Sequence, residues 1–340
     1  LLQEIMEHTR PFKDVQELYL EEEAEGEIAL CTLSAIIPDH LNLEVIDGDF
    51  TEGSISRYEK ACYYALKKID NTIEMMDYPF PNLKYTAQRR RYAGVGISGL
   101  AYEMALKGHK YTSDEGKRYL HMLAELHMYS LIKASLRLSY ERGVCEWMDR
   151  TKWVDGWMPI DTYNKNIDKV VDPTLNRDWE QLRKDVVNNK GHRFSLLCAY
   201  MPTESSSIAS NRPNSIYPIR DLVLIKGDGD DAKVFIAPEA DRLKDSYEMA
   251  WDITPKQMFD VYGIHQKFCD QGISADVWQH RTNYDKVTPR FSAKDMVTDW
   301  MYARHVGVKS RYYTNTKNSG DRSTGREVTQ DNNACTGGAC

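Results

Sequence analysis

Two cysteines, Cys335 and Cys340, end a segment that is too polar to pack into a core. From Thr314 onward the sequence is rich in Gly, Asn, Ser and Asp and has almost no large apolar side chains. Such a segment cannot offset its chain entropy by burial, so we expect residues 315–340 to form a mobile tail. The glycines between the cysteines let the two thiols approach within disulfide range. The pattern favours a redox-active dithiol over half of a metal site, because the tail offers no second pair of ligands.

A second group of reactive side chains, Thr203-Glu204-Ser205-Ser206, follows the apolar stretch 195–201. We expect a strand that ends at Pro202 and a helix that begins just after it. Backbone N–H groups and hydroxyls at a helix start can bind an anion, and α/β proteins bind ligands at the carboxyl ends of their strands. The alternative is a serine-rich helix cap with no ligand.

A third motif, Gly94-Val95-Gly96-Ile97-Ser98-Gly99, matches the dinucleotide-binding pattern GxGxxG. That pattern needs a buried strand before it and an acidic residue about 20 positions later on the next strand. Residues 86–91 are largely basic and polar, and a long helix is predicted downstream. We therefore expect these glycines to permit close packing at a helix start. A nicotinamide-dependent oxidoreductase remains the competing function.

Two further features each have a structural and a chemical interpretation. Tyr312 and Tyr313 are adjacent on a predicted strand, so their rings should point to opposite faces, as packed core or as electron-transfer phenols. Cys31 lies in an apparently buried strand at 27–36, where most thiols are simply small apolar groups.

The elements that must position these side chains alternate along the chain. Apolar runs predict strands at 27–36, 195–201 and 307–314, and helical periodicity predicts helices over 55–77 and 113–141. Residues 88–91 are read as a basic turn before a helix that ends near Gly108, and two later helices begin at Thr254-Pro255 and at Ser292. Strands separated by long helices indicate parallel pairing in an α/β fold.

Composition limits the classes of function. The 340 residues are 41% hydrophobic and 28% charged, with a net charge of −7, which disfavours a general nucleic-acid surface. No apolar run is long enough for a membrane span, and no secretory signal is evident at the start of the sequence. Seven cysteines at unpatterned spacings suit a reducing compartment, so we expect a cytoplasmic protein, in the host cytoplasm if it is viral.

In chain order these segments resemble the C-terminal half of the class I ribonucleotide reductase large subunit, of the bacterial and T4-like phage type. The resemblance covers essentially the whole chain and ends with Tyr312-Tyr313 and the terminal CxxxxC. The other matching segments are Ala29–Ala35, Pro159–Tyr163, Met201–Ser206 and Gln266–Ser274.

The resemblance implies a fold and a set of roles. The fold is a ten-stranded α/β barrel of two five-stranded parallel halves, of which residues 1–314 would form one. Glu4 would take up the proton of the substrate 3′-hydroxyl, and Cys31 would be one of two thiols that reduce the substrate at C2′. The substrate would be a ribonucleoside diphosphate, whose diphosphate would bind the loop Thr203, Glu204, Ser205 and Ser206. Tyr312 and Tyr313 would relay the radical from a small subunit that carries a di-iron tyrosyl radical. Cys335 and Cys340 would shuttle reducing equivalents from thioredoxin or glutaredoxin.

The sequence also departs from the family's pattern. Leu2 occupies the position of the family's radical cysteine, and the second reducing thiol belongs to the family's N-terminal portion. We therefore expect a truncated or split large subunit that needs a separate chain with the N-terminal half, and no cofactor or metal in this chain. A catalytically silent scaffold is the remaining alternative.

Overall fold

The computed structural model describes residues 3–20, 24–226, 233–280 and 292–317. Within these ranges the protein is mixed α/β. The α-helices, α1 to α10 in chain order, are Glu52–Met75, Pro81–Arg90, Leu100–Lys107, Asp114–Arg142, Pro159–Thr162, Trp179–Asn188, Glu204–Ser210, Ala240–Leu243, Pro255–Phe268 and Ala293–His305. The strands, β1 to β8, are Thr32–Ile36, Val45–Ile46, Asp49–Phe50, Ala93–Ile97, Val223–Lys226, Lys233–Ile236, Val277–His280 and Thr314–Lys317.

Five parallel segments form the centre of the fold. Strand β1 pairs in parallel with β4, and β4 continues through backbone bonds to the extended segment 196–200. That segment pairs in parallel with residues 271–274, which lead into β7, and β7 pairs in parallel with β8. The five segments therefore lie side by side in chain order, which confirms the predicted α/β fold with parallel strands. Two short antiparallel pairs, β2–β3 and β5–β6, lie outside this array.

The helices that connect the segments cover the array. Helix α4 is buried along most of its 29 residues and packs against both α1 and α9. Its start agrees with the predicted helix over 113–141, because Ser113 is its cap and the Ser113 hydroxyl accepts a hydrogen bond from the Gly116 amide at 3.0 Å. Thr254 and Ser292 likewise cap α9 and α10, and each forms a reciprocal capping box with the third helical residue.

The sequence-based boundaries of several elements were wrong. Residues 88–90 are the last turn of α2, so they do not form a turn. The array strand near the start of the chain begins at Thr32, and the last one begins at Thr314, seven residues later than predicted. The segment 195–201 is extended but makes only isolated bridges, because its ladder to β4 is irregular.

A buried charge cluster holds the outer helices to the array. The Asp70 carboxylate on α1 is fully buried and accepts hydrogen bonds from Arg91, Arg142 and Arg193 at 2.7 to 2.9 Å. These contacts lower the pKa of Asp70, although burial opposes them. Charges removed from water require such pairing, so the cluster fixes α1, α4 and the segment after α6 relative to one another.

Within the described ranges, no helix is both long and apolar enough to cross a membrane.

Candidate functional site

The segment 271–276 connects four of the predicted site residues, which are Glu4, Cys31, Tyr312 and Tyr313. Its first residue, Gln271, is buried, and its amide donates to the Ala93 carbonyl at 2.9 Å. The same side chain reaches Cys31, with 3.9 Å from Nε2 to Sγ and 4.0 Å from Oε1 to Sγ. Its Oε1 also accepts the Met6 amide at 3.4 Å. Gln271 therefore joins the N-terminal segment, the array and Cys31.

Cys31 is half-buried and immediately precedes β1. Burial raises the pKa of its thiol well above the ordinary value, and the negative charge of Glu7 raises it further. The five cysteines in the described ranges are all free thiols. Cys31 differs from the other four in being only half-buried.

Glu4 is fully buried at the same place. Its Oε2 accepts a short hydrogen bond from the Ser274 hydroxyl, and its backbone carbonyl accepts the Gly272 amide at 2.8 Å. Its other carboxylate oxygen, Oε1, is buried without a hydrogen-bond partner in the described part of the chain. Burial raises the pKa of Glu4, and the Ser274 bond only partly offsets this. A carboxyl group with one unpaired oxygen and a raised pKa is suited to accept a proton.

Tyr312 and Tyr313 lie at the other end of the central segment. The Tyr312 amide donates to the Ala275 carbonyl at 3.0 Å, and the Tyr313 amide donates to the Asp276 carboxylate at 2.9 Å. The two ring centroids are 3.9 Å apart, so the prediction that the rings point to opposite faces was wrong. The backbone is not yet regular strand there, because β8 begins only at Thr314. Tyr313 is 56% exposed, which excludes a packed-core role for its ring.

Tyr217 lies between these groups and shows that they share one region. Its hydroxyl donates to the Ser274 carbonyl. Burial raises the pKa of Tyr217, and the negative charges of Asp276, Glu4 and Glu204 raise it further. Burial also raises the pKa of Asp276 to about 6. The carboxylates of three different segments therefore act on one phenol.

The predicted diphosphate loop opens α7. Thr203 is buried, and its hydroxyl is within 2.8 Å of the Ser98 hydroxyl and accepts the Ser215 amide at 2.7 Å. Because that hydroxyl is used there, it does not cap α7. Ser205 and Ser206 are exposed at the helix start, and so is Glu204, which accepts a hydrogen bond from Asn214 at 2.7 Å. An α-helix start without a side-chain cap leaves N–H groups for another acceptor.

The glycine motif has a different role from the predicted one. Gly94 and Gly96 lie inside strand β4, so they pack strands and do not start a helix. A Cβ at Gly94 would lie 2.8 Å from the Cys31 sulfur, and one at Gly96 would lie 2.7 Å from the Ala199 carbonyl oxygen. Only Gly99, with φ of 78°, caps a helix, α3. A dinucleotide fingerprint needs its glycines in the turn after the strand, so this geometry excludes that use of the motif.

Some predicted residues lie outside the described ranges, and some important ones were not predicted. Leu2, Cys335 and Cys340 are outside those ranges. Gln271 and Ser274 were part of a matched segment but had no predicted role, although polar residues in a buried strand were a usable signal. Glu7 and Asp276 gave no sequence signal, because an isolated carboxylate is typical of a solvated surface.

Known proteins resemble this chain over most of its length. Residues 3–314 match the family model described as the ribonucleotide reductase barrel domain. The ribonucleoside-diphosphate reductase subunit alpha of Haemophilus influenzae is 36% identical over 344 residues, which cover 98% of this chain and 42% of that protein. The corresponding subunit of Enterobacteria phage T4 is 31% identical, over 86% of this chain and 37% of that protein. This chain thus spans about two fifths of the length of these relatives. It belongs to the ribonucleotide reductase family.

Proposed function

We propose that this chain forms part of the active site of a reductase that converts ribonucleoside diphosphates to deoxyribonucleoside diphosphates. The observation that carries the proposal is the convergence on residues 271–276. Cys31 contacts Gln271, Glu4 is hydrogen-bonded to Ser274, and Tyr312 and Tyr313 are bonded to the last two residues of the segment. A thiol, a carboxyl group and a phenol pair from distant parts of the chain meet at one place, as thiol-based radical reduction requires.

Cys31 acts in this proposal as one of the two thiols that reduce the substrate at C2′. A dithiol supplies two electrons and becomes a disulfide, and thiol–disulfide exchange can restore it. The partner thiol and the radical-forming cysteine would come from the rest of a complete large subunit. These relatives are more than twice as long as this chain. We therefore propose that activity needs the N-terminal portion of the large subunit, either as a separate polypeptide or as part of the same one.

Glu4 is the proposed acceptor of the proton from the substrate 3′-hydroxyl. Its unpaired buried oxygen and its raised pKa support this role. Ser274 holds the other oxygen and so orients the group. The diphosphate is proposed to bind at Thr203, Glu204, Ser205 and Ser206, where the uncapped start of α7 and the exposed serine hydroxyls supply donors.

Tyr312 and Tyr313 are the proposed last steps of a radical relay. Their ring contact shortens the transfer between them, and the exposure of Tyr313 gives access to a donor outside the chain. The proposed donor is a small subunit with a di-iron tyrosyl radical. No metal or other cofactor is proposed to reside in this chain.

The remaining proposals concern reduction and location. Cys335 and Cys340, outside the described ranges, are proposed to carry electrons from thioredoxin or glutaredoxin to the disulfide at Cys31. Thiol chemistry of this kind requires a reducing compartment, so we propose the cytoplasm, which the free thiols of the described ranges support.

Reconstitution tests the proposal. The chain is mixed with a polypeptide that supplies the N-terminal portion of a relative and with its small subunit, and reduction of cytidine diphosphate is measured with dithiothreitol. We expect activity with the native chain, none with Cys31→Ser, and normal activity with Cys62→Ala, a buried thiol on α1. Assembly without diphosphate reduction would instead favour a silent scaffold.

A further inference from the structure

Glu7 is a titratable group that the proposed reaction does not use. Both of its carboxylate oxygens are buried, and within the described ranges neither is held in a well-aligned hydrogen bond, although the Cys31 thiol and the Leu30 amide lie close enough to act on the group. Burial raises the pKa of Glu7 to about 7, and only the Cys31 thiol and the Leu30 amide oppose this rise. Glu7 is therefore protonated in part of the population near neutral pH, which is unusual for a carboxyl group.

The packing around Gln271 brings Glu7 to Cys31. Met6, its neighbour in the chain, is bonded to Gln271 Oε1, while the Gln271 amide contacts the Cys31 sulfur. Glu7 and Cys31 each shift the pKa of the other. The other titratable groups facing this pair are Asp270, which acts on Cys31, and Tyr92, whose pKa is raised in part by Glu7. Asp270 is also a carboxyl group, but its two oxygens accept the Leu197 and Cys198 amides at 2.8 Å, which favours its ionised form. Glu7 is therefore the better proton source of the two.

A buried thiol with a strongly raised pKa creates a problem for disulfide reduction. When its disulfide is cleaved, Cys31 must leave as a thiolate, and a thiolate of high basicity leaves slowly. Burial and the neighbouring carboxylates all disfavour negative charge on this sulfur. A proton donor beside the sulfur removes the problem, because the leaving group is then a neutral thiol.

We propose that Glu7 is the proton donor to Cys31 during reduction of its disulfide, an inference that rests on the proposed redox role of Cys31. A thiolate of a dithiol reductant attacks the sulfur joined to Cys31, and the S–S bond breaks. The bonding pair stays on Cys31 Sγ, which takes the proton from the Glu7 carboxyl group. Glu7 becomes a carboxylate and regains a proton from solvent. The reductant is then joined to the other sulfur in a mixed disulfide. Its second thiol loses its proton and attacks that bond, which closes the reductant's own disulfide and releases the other sulfur as a thiolate that takes up a proton. The two electrons come from the dithiol.

The test follows cleavage of a defined disulfide on the full chain. Cys31 is capped with a 2-hydroxyethyl methanethiosulfonate reagent, the cap is removed with dithiothreitol from pH 6 to pH 8.5, and the Cys31 peptide is quantified by mass spectrometry. Rates are expressed per reductant thiolate. For the native chain we expect a fall of about tenfold as pH rises through 7, because Glu7 loses its proton there.

Variants separate the proposal from a purely structural role. Glu7→Gln keeps the shape but cannot donate a proton, so its profile should be flat and as slow as that of the native chain at pH 8.5. Without the negative charge of Glu7, its free Cys31 should also alkylate faster at pH 8.5. Glu44→Gln, at an exposed site, should behave as the native chain. If Glu7→Gln does not fold, Glu7→Asp should retain a pH-dependent rate.

A flat profile for the native chain, or identical profiles for native and Glu7→Gln chains, would overturn the proposal. Nucleotide reduction is no part of this assay. A reconstituted complex that does not reduce diphosphates would therefore refute the proposed function while leaving the assignment of Glu7 intact. An active complex would support the proposed function. If Glu7→Gln then changed neither the rate nor the pH profile of cap removal, only the assignment of Glu7 would be refuted.

Discussion

Glu4 and Cys31, the residues with proposed roles in proton and electron transfer, are both held where burial disfavours their charged forms. Glu4 loses solvation and leaves one oxygen unpaired, and Cys31 is held where its thiolate is disfavoured. Such costs are typical of groups retained for their reactivity. They also make stability and activity change in opposite directions when the groups are replaced.

Glu4→Gln should demonstrate this opposition. The pKa of Glu4 is raised in the folded chain, so above the unfolded pKa the carboxylate makes folding less favourable. Glutamine has no such cost, so the free energy of unfolding at pH 7 should be unchanged or higher. Diphosphate reduction should fall about 100-fold or more, because a proton acceptor is lost. Urea unfolding and turnover of the reconstituted complex measure the two effects, and a parallel loss of both would contradict the assignment.

Removing the hydroxyl of Tyr312 or Tyr313 should leave the fold stable but should abolish the proposed radical transfer. Tyr312→Phe or Tyr313→Phe should cost no more than about 1 kcal/mol of stability and should abolish diphosphate reduction. Phenylalanine keeps the ring contact but cannot form a phenoxyl radical. Tyr140→Phe, at an exposed position on α4, is the control. Near-normal turnover of either relay variant would remove that tyrosine from the relay.

The strands of the array set the distances between the site residues, and they do so by packing closely against one another. Gly96 on β4 allows the segment 196–200 to pass within contact distance, since an added Cβ would lie 2.7 Å from the Ala199 carbonyl oxygen. The glycines of β4 thus position the elements that carry Cys31 and the diphosphate loop.

Gly96→Ala should therefore destabilise the chain by about 1 to 3 kcal/mol, as overpacking does in well-packed cores. The backbone atoms that it would meet cannot rotate away. Gly53→Ala, in the first turn of α1, should be neutral or stabilising, because its nearest neighbour is the flexible end of Arg57. Urea midpoints of the two variants give the comparison, and equal midpoints would contradict it.

The sequence predicted elements best where local chemistry determines them. The caps at Ser113, Thr254 and Ser292 were identified correctly, because a hydroxyl that bonds the helix start acts within three residues. Strand limits and the role of the β4 glycines were missed, since these depend on neighbours that are distant in sequence. The family resemblance supplied the role of Glu4, but its contact with Ser274 across 270 positions was not predicted.

At the scale of the whole molecule, buried histidines make the fold sensitive to acid. Burial lowers the pKa of His121, His192 and His265 to about 3 and that of His127 to about 4. These groups stay neutral in the folded chain but take up protons below about pH 6.5 when it unfolds. Stability should therefore be lost as pH falls from about 6.5, by roughly 2 kcal/mol per histidine at pH 5.

The raised pKa values of Glu7, Asp270 and Asp276 oppose this loss, because these carboxyl groups take up protons in the folded chain over the same pH range. We expect the four histidines to outweigh them, so that the free energy of unfolding falls between pH 7 and pH 5. Urea titrations at pH 7 and pH 5 measure the difference. His121→Gln should weaken the pH dependence by about one proton, because it removes one of the four groups that take up a proton only on unfolding. A urea midpoint that is the same at both pH values would refute the prediction.

Cys335 and Cys340 are proposed to carry electrons across the molecule to the disulfide at Cys31. Cys335→Ser or Cys340→Ser should abolish diphosphate reduction driven by thioredoxin but spare reduction driven by dithiothreitol, which can enter the site itself. Turnover with each reductant in the reconstituted complex provides the measurement. Equal loss with both reductants would place these thiols in the bond-making steps instead.

The hydrogen bond between Glu4 and Ser274 has a consequence for how the chain folds during its synthesis. Its partners are 270 residues apart, and the ribosome adds about 5 to 20 residues per second. The segment that carries Glu4 must therefore wait roughly 14 to 54 s after its own synthesis before its hydrogen-bond partner is synthesised. During that interval the segment that carries Glu4 and Glu7 is unprotected and open to proteases and chaperones. The contact between these two segments is thus completed late, after the strands β1 and β4 have been synthesised.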